Sequence, residues 1–261
     1  SVTALLSTYH GTEIALELDK LSPLHGSLRA KPVSDDPWAS IWTEGETRFQ
    51  SGEIRGEFNS SMIALHANLQ GVYAYGFEVD TLFTRLKIDT AGLLFWDSRL
   101  IRDDIRYPFH GEISPWDPEY IRFAVEFPEN GEAELLGDIS NYLTVRATQI
   151  PLRYLPYGRD YKILSLLGTA DAVWSMDMNQ MNSHGKARLS TTLDSTTKPL
   201  RMVTHFTQER DTVAFDSIKV VQGNNTAHGS FLLAPGTKSR LIPGLLKAEI
   251  GADSILLSHL L

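Results

Sequence analysis

The amino-acid sequence predicts an all-β protein, arranged as an elongated, curved antiparallel sheet. The first observation is a two-residue alternation of apolar and polar side chains, clearest at 12–19, 62–70 and 120–127. Successive side chains of a strand point to opposite faces, so this period predicts strands with one apolar and one polar face. The second observation is that turn-forming residues interrupt the alternation roughly every ten positions. Together the two patterns predict short strands joined by tight turns.

The predicted turns are clusters of Gly, Asn, Asp and Pro. They occur at 89–92, 129–131, 223–225 and 235–236. Asn and Gly tolerate the positive φ that tight hairpins require, so each cluster has a physical reason to reverse the chain.

The alternation places strands along almost the whole chain. If about eighteen such strands stack at the usual spacing of about 4.8 Å, the array is about 85 Å long. The predicted strands are 13–19, 26–32, 39–43, 47–50, 52–58, 62–70, 77–89, 93–96, 99–101, 106–113, 120–127, 133–139, 143–148, 172–178, 185–194, 201–207, 213–221, 227–233 and 245–250.

One segment, 150–168, departs from the alternation. It is rich in Leu and is interrupted by Pro151 and Pro156, which predicts one or two short helices laid across an edge or end of the sheet. We therefore expect a first β-repeat half at 1–149, a helical or irregular connector at 150–168 and a second β-repeat half at 169–261, as parts of one continuous array.

Composition excludes several classes of function. The chain has 261 residues, a formal net charge of −8 and no basic cluster, so neither a nucleic-acid backbone nor an anionic membrane surface is an expected partner. It has no Cys, which excludes disulfides and thiolate chemistry and fits the cytosol or an oxidising bacterial periplasm. Neither end reads as a natural terminus. We expect a mature protein or a piece of a longer one.

The sequence contains no recognisable catalytic constellation. The nucleophile elbow, the phosphate loop, the dinucleotide fingerprint and the zinc helix are all absent. His25, His110, His184 and His228 each precede a Gly, and we interpret them as turn residues before a strand rather than as metal ligands. The paired acids at 35–36 and 103–104 sit in predicted turns. We therefore expect neither enzymatic activity nor a cofactor.

The apolar face leaves two readings open. Medium-sized aliphatic residues with scattered Phe could form an apolar trough that accepts acyl chains, or they could be the core of an ordinary β-sandwich. In the second reading the chain is a binding module for carbohydrate or a protein partner. Its exposed aromatic residues would then be Trp38, Trp42, Trp96 and Trp116.

A loose internal repeat bears on this choice. The segment 212–233 contains Phe215-Asp216-Ser217-Ile218, then a Gly turn, then His228-Gly229-Ser230-Phe231. The segment 77–114 is a longer version that ends in His110-Gly111-Glu112-Ile113, and 43–58 is a shorter one. Repeats of this length are typical of arrays whose units bury their apolar faces by stacking, although hairpins in general share these features.

These residues resemble the periplasmic β-repeat portion of the AsmA/TamB superfamily of bacterial envelope proteins. The segments 213–233 and 77–114 are similar to that family's unit of an apolar-Asp-x-apolar strand, a Gly turn and a strand that opens with Gly. The segment 150–172, with Leu167-Gly168-Thr169-Ala170, is similar to the leucine-rich stretch before a Leu-Gly-Thr strand in TamB-type repeats.

The resemblance implies a taco-like β-groove that moves phospholipids between the inner and outer membranes without catalysis. It implies a periplasmic location, an inner-membrane anchor in a segment not present here, and an outer-membrane protein partner bound through parts outside this chain. Phospholipid acyl chains are the expected ligand. The residues expected to line the groove are Ile63, Leu65, Leu69, Ile121, Phe123, Val125, Phe127, Leu143, Val145, Leu189, Leu193, Val213 and Phe215.

Overall fold

The computed structural model describes residues 2–7, 12–32, 47–74, 77–114, 119–138, 140–154, 167–180, 182–192, 198–209, 212–236 and 239–254. The chain divides into two compact units, 1–126 and 127–261. Nearly all described residues lie in antiparallel strands, and none of them lies in an α-helix. The prediction of an all-β antiparallel fold is therefore confirmed. The predicted connector, 150–168, falls inside the second unit.

The first unit is a meander in which each strand pairs with the one before it. β4 and β5 both pair with β6, so they form one interrupted strand and the ladder is nine strands wide from β1 to β10. The strands described in this unit are β1 (Val2–Ser7), β2 (Glu13–Leu21), β3 (Leu24–Lys31), β4 (Thr47–Arg48), β5 (Ser51–Asn59), β6 (Met62–Ala74), β7 (Phe77–Asp89), β8 (Gly92–Arg102), β9 (Ile105–Ser114) and β10 (Tyr120–Phe127).

The second unit is also a meander, in which every strand from β11 to β18 pairs antiparallel with the next. Its described strands are β11 (Gly131–Asp138), β12 (Tyr142–Pro151), β13 (Leu167–Asp177), β14 (Asn182–Thr192), β15 (Leu200–Glu209), β16 (Thr212–Gln222), β17 (Asn225–Gly236) and β18 (Ser239–Ser254). Two 3-10 turns are described in this unit: Pro128–Asn130 precedes β11, and Leu152–Tyr154 follows β12 and contains the completely buried Leu152. The ends of the predicted connector are strand rather than helix, since 150–151 close β12 and 167–168 open β13, and 155–166 lie outside the described residues.

The turns follow the local chemistry that the sequence indicated. Asp103 and Asp104 form the two-residue β8–β9 loop with φ values of 53° and 64°, as the tight hairpin turn with two positive φ angles requires. Gly223 opens the β16–β17 turn at φ 60°. In the β7–β8 turn, the Asp89 carboxylate accepts a hydrogen bond of 2.8 Å from the backbone N–H of Ala91.

Several predicted strand boundaries are wrong because bulges and long ladders were not visible in the alternation. The segments 93–96 and 99–101 are one strand, β8, with a bulge between Phe95 and Ser98 at which Asp97 has φ 43°. The predicted strand 245–250 is the middle of the longer β18. β1 had no predicted counterpart, and the predicted strand 39–43 lies outside the described residues.

The interpretation of the four His-Gly pairs as turns is also wrong. His25, His110, His184 and His228 lie within β3, β9, β14 and β17, and all four side chains are exposed. Because neighbouring residues of a strand point to opposite faces, each pair places the His on one face of the sheet and the Gly on the other. The recurring pair therefore marks the two faces of a strand, with the imidazole on the polar side.

The polar face of the first unit carries cross-strand ion pairs. Glu53 of β5 accepts hydrogen bonds from Arg55 at 2.8 Å and from Arg29 of β3 at 2.7 Å. Hydrogen bonds from Arg55, and to a lesser extent from Arg29, lower the pKa of the Glu53 carboxyl. Lys87 likewise lowers the pKa of Asp89 at the end of β7, assisted by the Ala91 N–H.

A pH dependence follows from the Glu53 pairs. Because the folded-state pKa of Glu53 is lowered, its ion pairs stabilise the fold above the ordinary Glu pKa and lose this effect as the pH falls through the lower folded-state pKa. We expect Glu53→Gln to lower the urea midpoint slightly at pH 7 and to change it less at pH 3. Glu57→Gln, in the same strand and on the same face, is the control. Equal effects of the two variants at pH 7 would contradict the assignment.

Candidate functional site

The side chains of one face of the first unit line up in apolar rows that cross the whole ladder. One row joins nine residues, one from each strand position: Val2, Leu18, Gly26, Phe58, Ile63, Ile88, Leu93, Ile113 and Ile121. The next row has Ala4, Leu16, Leu28, Gly56, Leu65, Leu86, Phe95, Gly111 and Phe123. Since neighbouring strands are about 4.8 Å apart, each row spans about 38 Å. We call this surface the unit 1 apolar face.

This face is only partly removed from solvent. Ile63 and Ile88 remain 41% and 38% exposed, and most of its other aliphatic residues are half-buried. Hydrophobic residues that are less than a tenth exposed are few in the described part of the unit, and two of them, Ala67 and Phe109, lie on this face. A sandwich core normally buries its inner faces against a second sheet. Here the described strands of the unit form a single ladder of chain neighbours.

Glycines within the strands are covered by large side chains from the next strand. An added Cβ at Gly111 would lie 2.6 Å from Cδ2 of Phe123, and one at Gly26 would lie 2.7 Å from Cζ of Phe58. The pairs in which the directly opposite side chain occupies this space are Gly26–Phe58, Gly52–Leu69, Gly56–Leu65, Gly111–Phe123 and Gly185–Phe206. The glycines thus let bulky residues lie flat across the sheet.

An aromatic cluster shows the consequence. Phe95 and Phe123 are separated by β9 but have ring centroids 6.0 Å apart in an edge-to-face arrangement. Phe109 contacts both rings, at 6.4 Å from Phe95 and 5.3 Å from Phe123. Gly111 lies between Phe95 and Phe123 in the row. The absence of its side chain allows the two rings to meet over the sheet, which makes this part of the face smooth and apolar.

The second unit has a comparable face, with more polar atoms. Its main row contains Leu135, Val145, Trp174, Gly185, Phe206, Phe215 and Phe231. The Phe206 and Phe215 rings are 5.8 Å apart. The row beside it includes Ser183 and Gln208, and the Ser183 hydroxyl donates a 3.3 Å hydrogen bond to the Gln208 side-chain oxygen. We call this surface the unit 2 apolar face.

The structure assembles the predicted site residues into two groups. In the first unit, Ile63, Leu65, Leu69, Ile121, Phe123 and Val125 all lie on the unit 1 apolar face. In the second, Leu143, Val145, Leu189, Val213 and Phe215 lie on the unit 2 apolar face. Phe127 ends β10 and is half-buried, and Leu193 lies outside the described residues.

Sequence reasoning missed several members of the same rows. The apolar–polar alternation that predicted the neighbouring site residues is also present at Leu86, Ile88, Leu93, Phe95 and Ile113, so the sequence could have identified them. The in-strand glycines gave no such signal, because a Gly has no side chain to assign to a face. Their role depends on the residue opposite, which only the register reveals.

The alternative hypothesis, a module that binds carbohydrate or a protein partner, relied on four Trp residues, of which the structure describes one. Trp96 lies on the polar face of the first unit, edge-on to His66 at 6.5 Å. On the same face, Arg99 stacks on Phe83, with its guanidinium carbon 4.5 Å from the ring centroid. Trp38, Trp42 and Trp116 lie outside the described residues.

The apolar faces can interact with a ligand mainly through contacts with its hydrocarbon groups. The carboxyl groups of Glu53, Asp89 and Asp138, whose pKa values are lowered, lie on a polar face or at strand ends beside turns. The pKa of Asp138 is lowered by the Asn141 side chain and then by the Ser140 N–H, an ordinary turn arrangement. Half-exposed rows of aliphatic and aromatic side chains gain free energy by covering apolar surface.

Within the part of the chain that the structure describes, no helix combines the length and the apolar character needed to cross a bilayer. Comparison of the chain with known protein families, with curated proteins and with solved structures returned no match.

Proposed function

We propose that the chain is a segment of a periplasmic bridge-like lipid-transfer protein, which conducts phospholipids between the inner and outer membranes with their acyl chains on the apolar faces. The observation that carries the proposal is the pair of nine-residue apolar rows that cross the first unit without a charged residue. Continuous rows suit a chain that must slide, since an acyl chain requires apolar area and little directional bonding.

The partial exposure of these rows supports the same proposal. Burial of one aliphatic side chain contributes about 1.5–3 kcal/mol, so rows that stay half-exposed leave a large part of this gain unused. Exposed contiguous apolar surface is uncommon in soluble proteins unless something binds there. Acyl chains laid along the rows would supply the missing apolar contacts.

The division of charge between the faces also supports it. In β6, the apolar-face residues Ile63 and Leu65 alternate with His66 and Asn68 on the polar face. Acyl chains laid along the two nine-residue rows of the first unit would therefore meet apolar side chains only, while the polar face remains solvated. The resemblance to the AsmA/TamB superfamily supports phospholipid as the cargo and the bacterial periplasm as the location.

The test is native mass spectrometry of the chain purified from bacterial cells, with extraction of bound lipid. We expect phospholipid at a defined stoichiometry in the wild type and its loss in an Ile63→Asp/Leu65→Asp variant. A carboxylate on a half-exposed face stays hydrated, so the variant is expected to fold, whereas an unpaired charge buried in a core would cost several kcal/mol.

The matched control is His66→Asp/Asn68→Asp, which adds two carboxylates to the same strand on the polar face. It is expected to keep its lipid. A lipid-free wild type would overturn the proposal. So would equal lipid loss in both variants, or unfolding of the Ile63→Asp/Leu65→Asp variant alone, which would indicate a sealed core.

A further inference from the structure

An indole N–H group on the unit 2 apolar face is buried without a hydrogen-bond partner. It belongs to Trp174, whose Nε1 atom is out of reach of solvent and has no acceptor within the part of the chain that the structure describes. The side chain as a whole is half-buried and lies on the main row of this face, between Val145 of β12 and Gly185 of β14. Buried indole N–H groups usually have a partner, so this one requires an explanation.

The residues around Trp174 explain why it lacks an acceptor. On β14 the residue opposite is Gly185, and the ring of Phe206 from β15 lies over it, since an added Cβ at Gly185 would collide with Cζ of that ring. Along β13 the nearest residues on the same face are Ala172 and Met176. None of these side chains carries an oxygen atom. The register therefore surrounds the donor with hydrocarbon and one thioether.

Other buried polar side chains on the same face do have partners. The hydroxyl of Ser183 donates a hydrogen bond of 3.3 Å to the side-chain oxygen of Gln208, and the hydroxyl of Thr204 donates one of 3.1 Å to the backbone oxygen of His205. The two further buried nitrogen atoms without a partner in the described part of the chain belong to Arg side chains on the polar face of the first unit. Among the described residues, the unpartnered donor on an apolar face is thus that of Trp174.

We propose that the Trp174 indole N–H donates a hydrogen bond to an acyl ester carbonyl of the lipid that lies on the unit 2 apolar face. This inference rests on the proposed function and adds to it the part of the lipid that is recognised. A donor among hydrocarbon groups requires an acceptor that is uncharged and arrives attached to hydrocarbon. An ester carbonyl meets both conditions, because it is joined directly to the acyl chain. A phosphate oxygen does not, since one neutral donor in an apolar row leaves its charge uncompensated.

A preference between lipids follows from this hydrogen bond. A buried donor has already lost its contact with water, so a ligand that brings an acceptor recovers that loss, whereas a ligand without one adds only apolar contacts. Because the Trp174 side chain is half-buried rather than sealed, a lipid on the row reaches the N–H by displacing a neighbouring apolar side chain such as Phe206. We therefore expect the face to prefer an ester-linked lipid to an ether-linked lipid of the same chain length and headgroup.

The test is native mass spectrometry of the whole chain with an equimolar mixture of diacyl phosphatidylethanolamine and its dialkyl-ether analogue. We expect the wild type to hold about three to ten times more of the ester lipid. Trp174→Phe keeps an aromatic ring and removes the N–H, so it is expected to bind the two lipids equally. A second readout does not require this variant to fold. In NMR spectra of the wild type, one indole N–H resonance should move downfield with the ester lipid and not with the ether lipid.

The matched control is Trp96→Phe, the same substitution on the polar face of the first unit, which is expected to keep the ester preference. Bound lipid with no ester preference in the wild type would overturn this inference and leave the proposed function standing. An ester preference that survives in Trp174→Phe would have the same meaning. Binding of neither lipid would overturn the proposed function, and this inference with it.

Discussion

Replacement of Gly111 by Ala is expected to lower the free energy of unfolding by about 1–3 kcal/mol, the usual cost of overpacking. The added Cβ would lie 2.6 Å from Cδ2 of Phe123 and 2.8 Å from the backbone oxygen of Arg122. The ring can turn only at the expense of its contacts with Phe95 and Phe109, and the backbone oxygen belongs to the ladder itself. The measurement is the urea midpoint of the variant against the wild type.

Gly251→Ala is the control for this variant, because an added Cβ at Gly251 meets nothing within 4 Å. It is expected to leave the midpoint unchanged or to raise it slightly, since Ala restricts the unfolded chain more than Gly does. A second variant, Gly111→Ala/Phe123→Leu, separates the two obstacles. Partial recovery of the urea midpoint would identify the Phe123 ring, rather than the Arg122 backbone oxygen, as the main obstacle to the added Cβ. An unchanged midpoint in Gly111→Ala would contradict the covered-glycine interpretation.

The fold could be predicted from the sequence because its main determinant is local. In β6, the alternation of Ile63, Leu65 and Leu69 with His66 and Asn68 is enough to assign a strand and both of its faces. Hairpins are equally local: Asp103 and Asp104 adopt the positive φ angles of a tight turn on their own chemistry. A meander of chain neighbours needs little more than these two signals.

The bulges could not be predicted in this way, because their cause lies on another strand. At the β7–β8 bulge, the Ser98 hydroxyl lies 3.0 Å from the Thr84 hydroxyl and accepts a 3.1 Å hydrogen bond from the Arg85 N–H. A buried hydroxyl requires such partners. Trp96, Asp97 and Ser98 therefore interrupt the alternation without ending the strand, and the sequence pattern alone could not distinguish this from a loop.

The candidate site was predictable as a face but not as a set of rows. Phe123 and Ile63 were identified by alternation within their own strands, yet their row partners depend on the register between strands. The His-Gly pairs illustrate the same limit. Gly111 gains its meaning from Phe95 and Phe123 on either side, and neither residue is near it in sequence.

Photo-crosslinking along β10 is expected to give a two-residue pattern of lipid adducts. With a benzophenone amino acid placed singly at 120–127 and the chain produced in bacterial cells, Ile121, Phe123, Val125 and Phe127 should yield phospholipid adducts. Arg122, Ala124 and Glu126 should yield none. The reason is that Ile121, Phe123 and Val125 share the unit 1 apolar face with Ile113, Gly111 and Phe109 of β9, and Phe127 continues their alternation at the end of β10, whereas the even positions point to the polar face.

This readout does not depend on how much each substitution destabilises the fold, because the comparison is between neighbouring positions of one strand. Tyr120 tests the assignment independently, since it is 37% exposed and aromatic but lies on the polar face. It should give no adduct even though it is more exposed than Phe123. Adducts at even and odd positions alike would show that lipid contacts the strand without regard to its faces. Absence of adducts at every odd position, with the protein folded, would remove phospholipid from the apolar face, because no cargo could then slide along rows that it never touches.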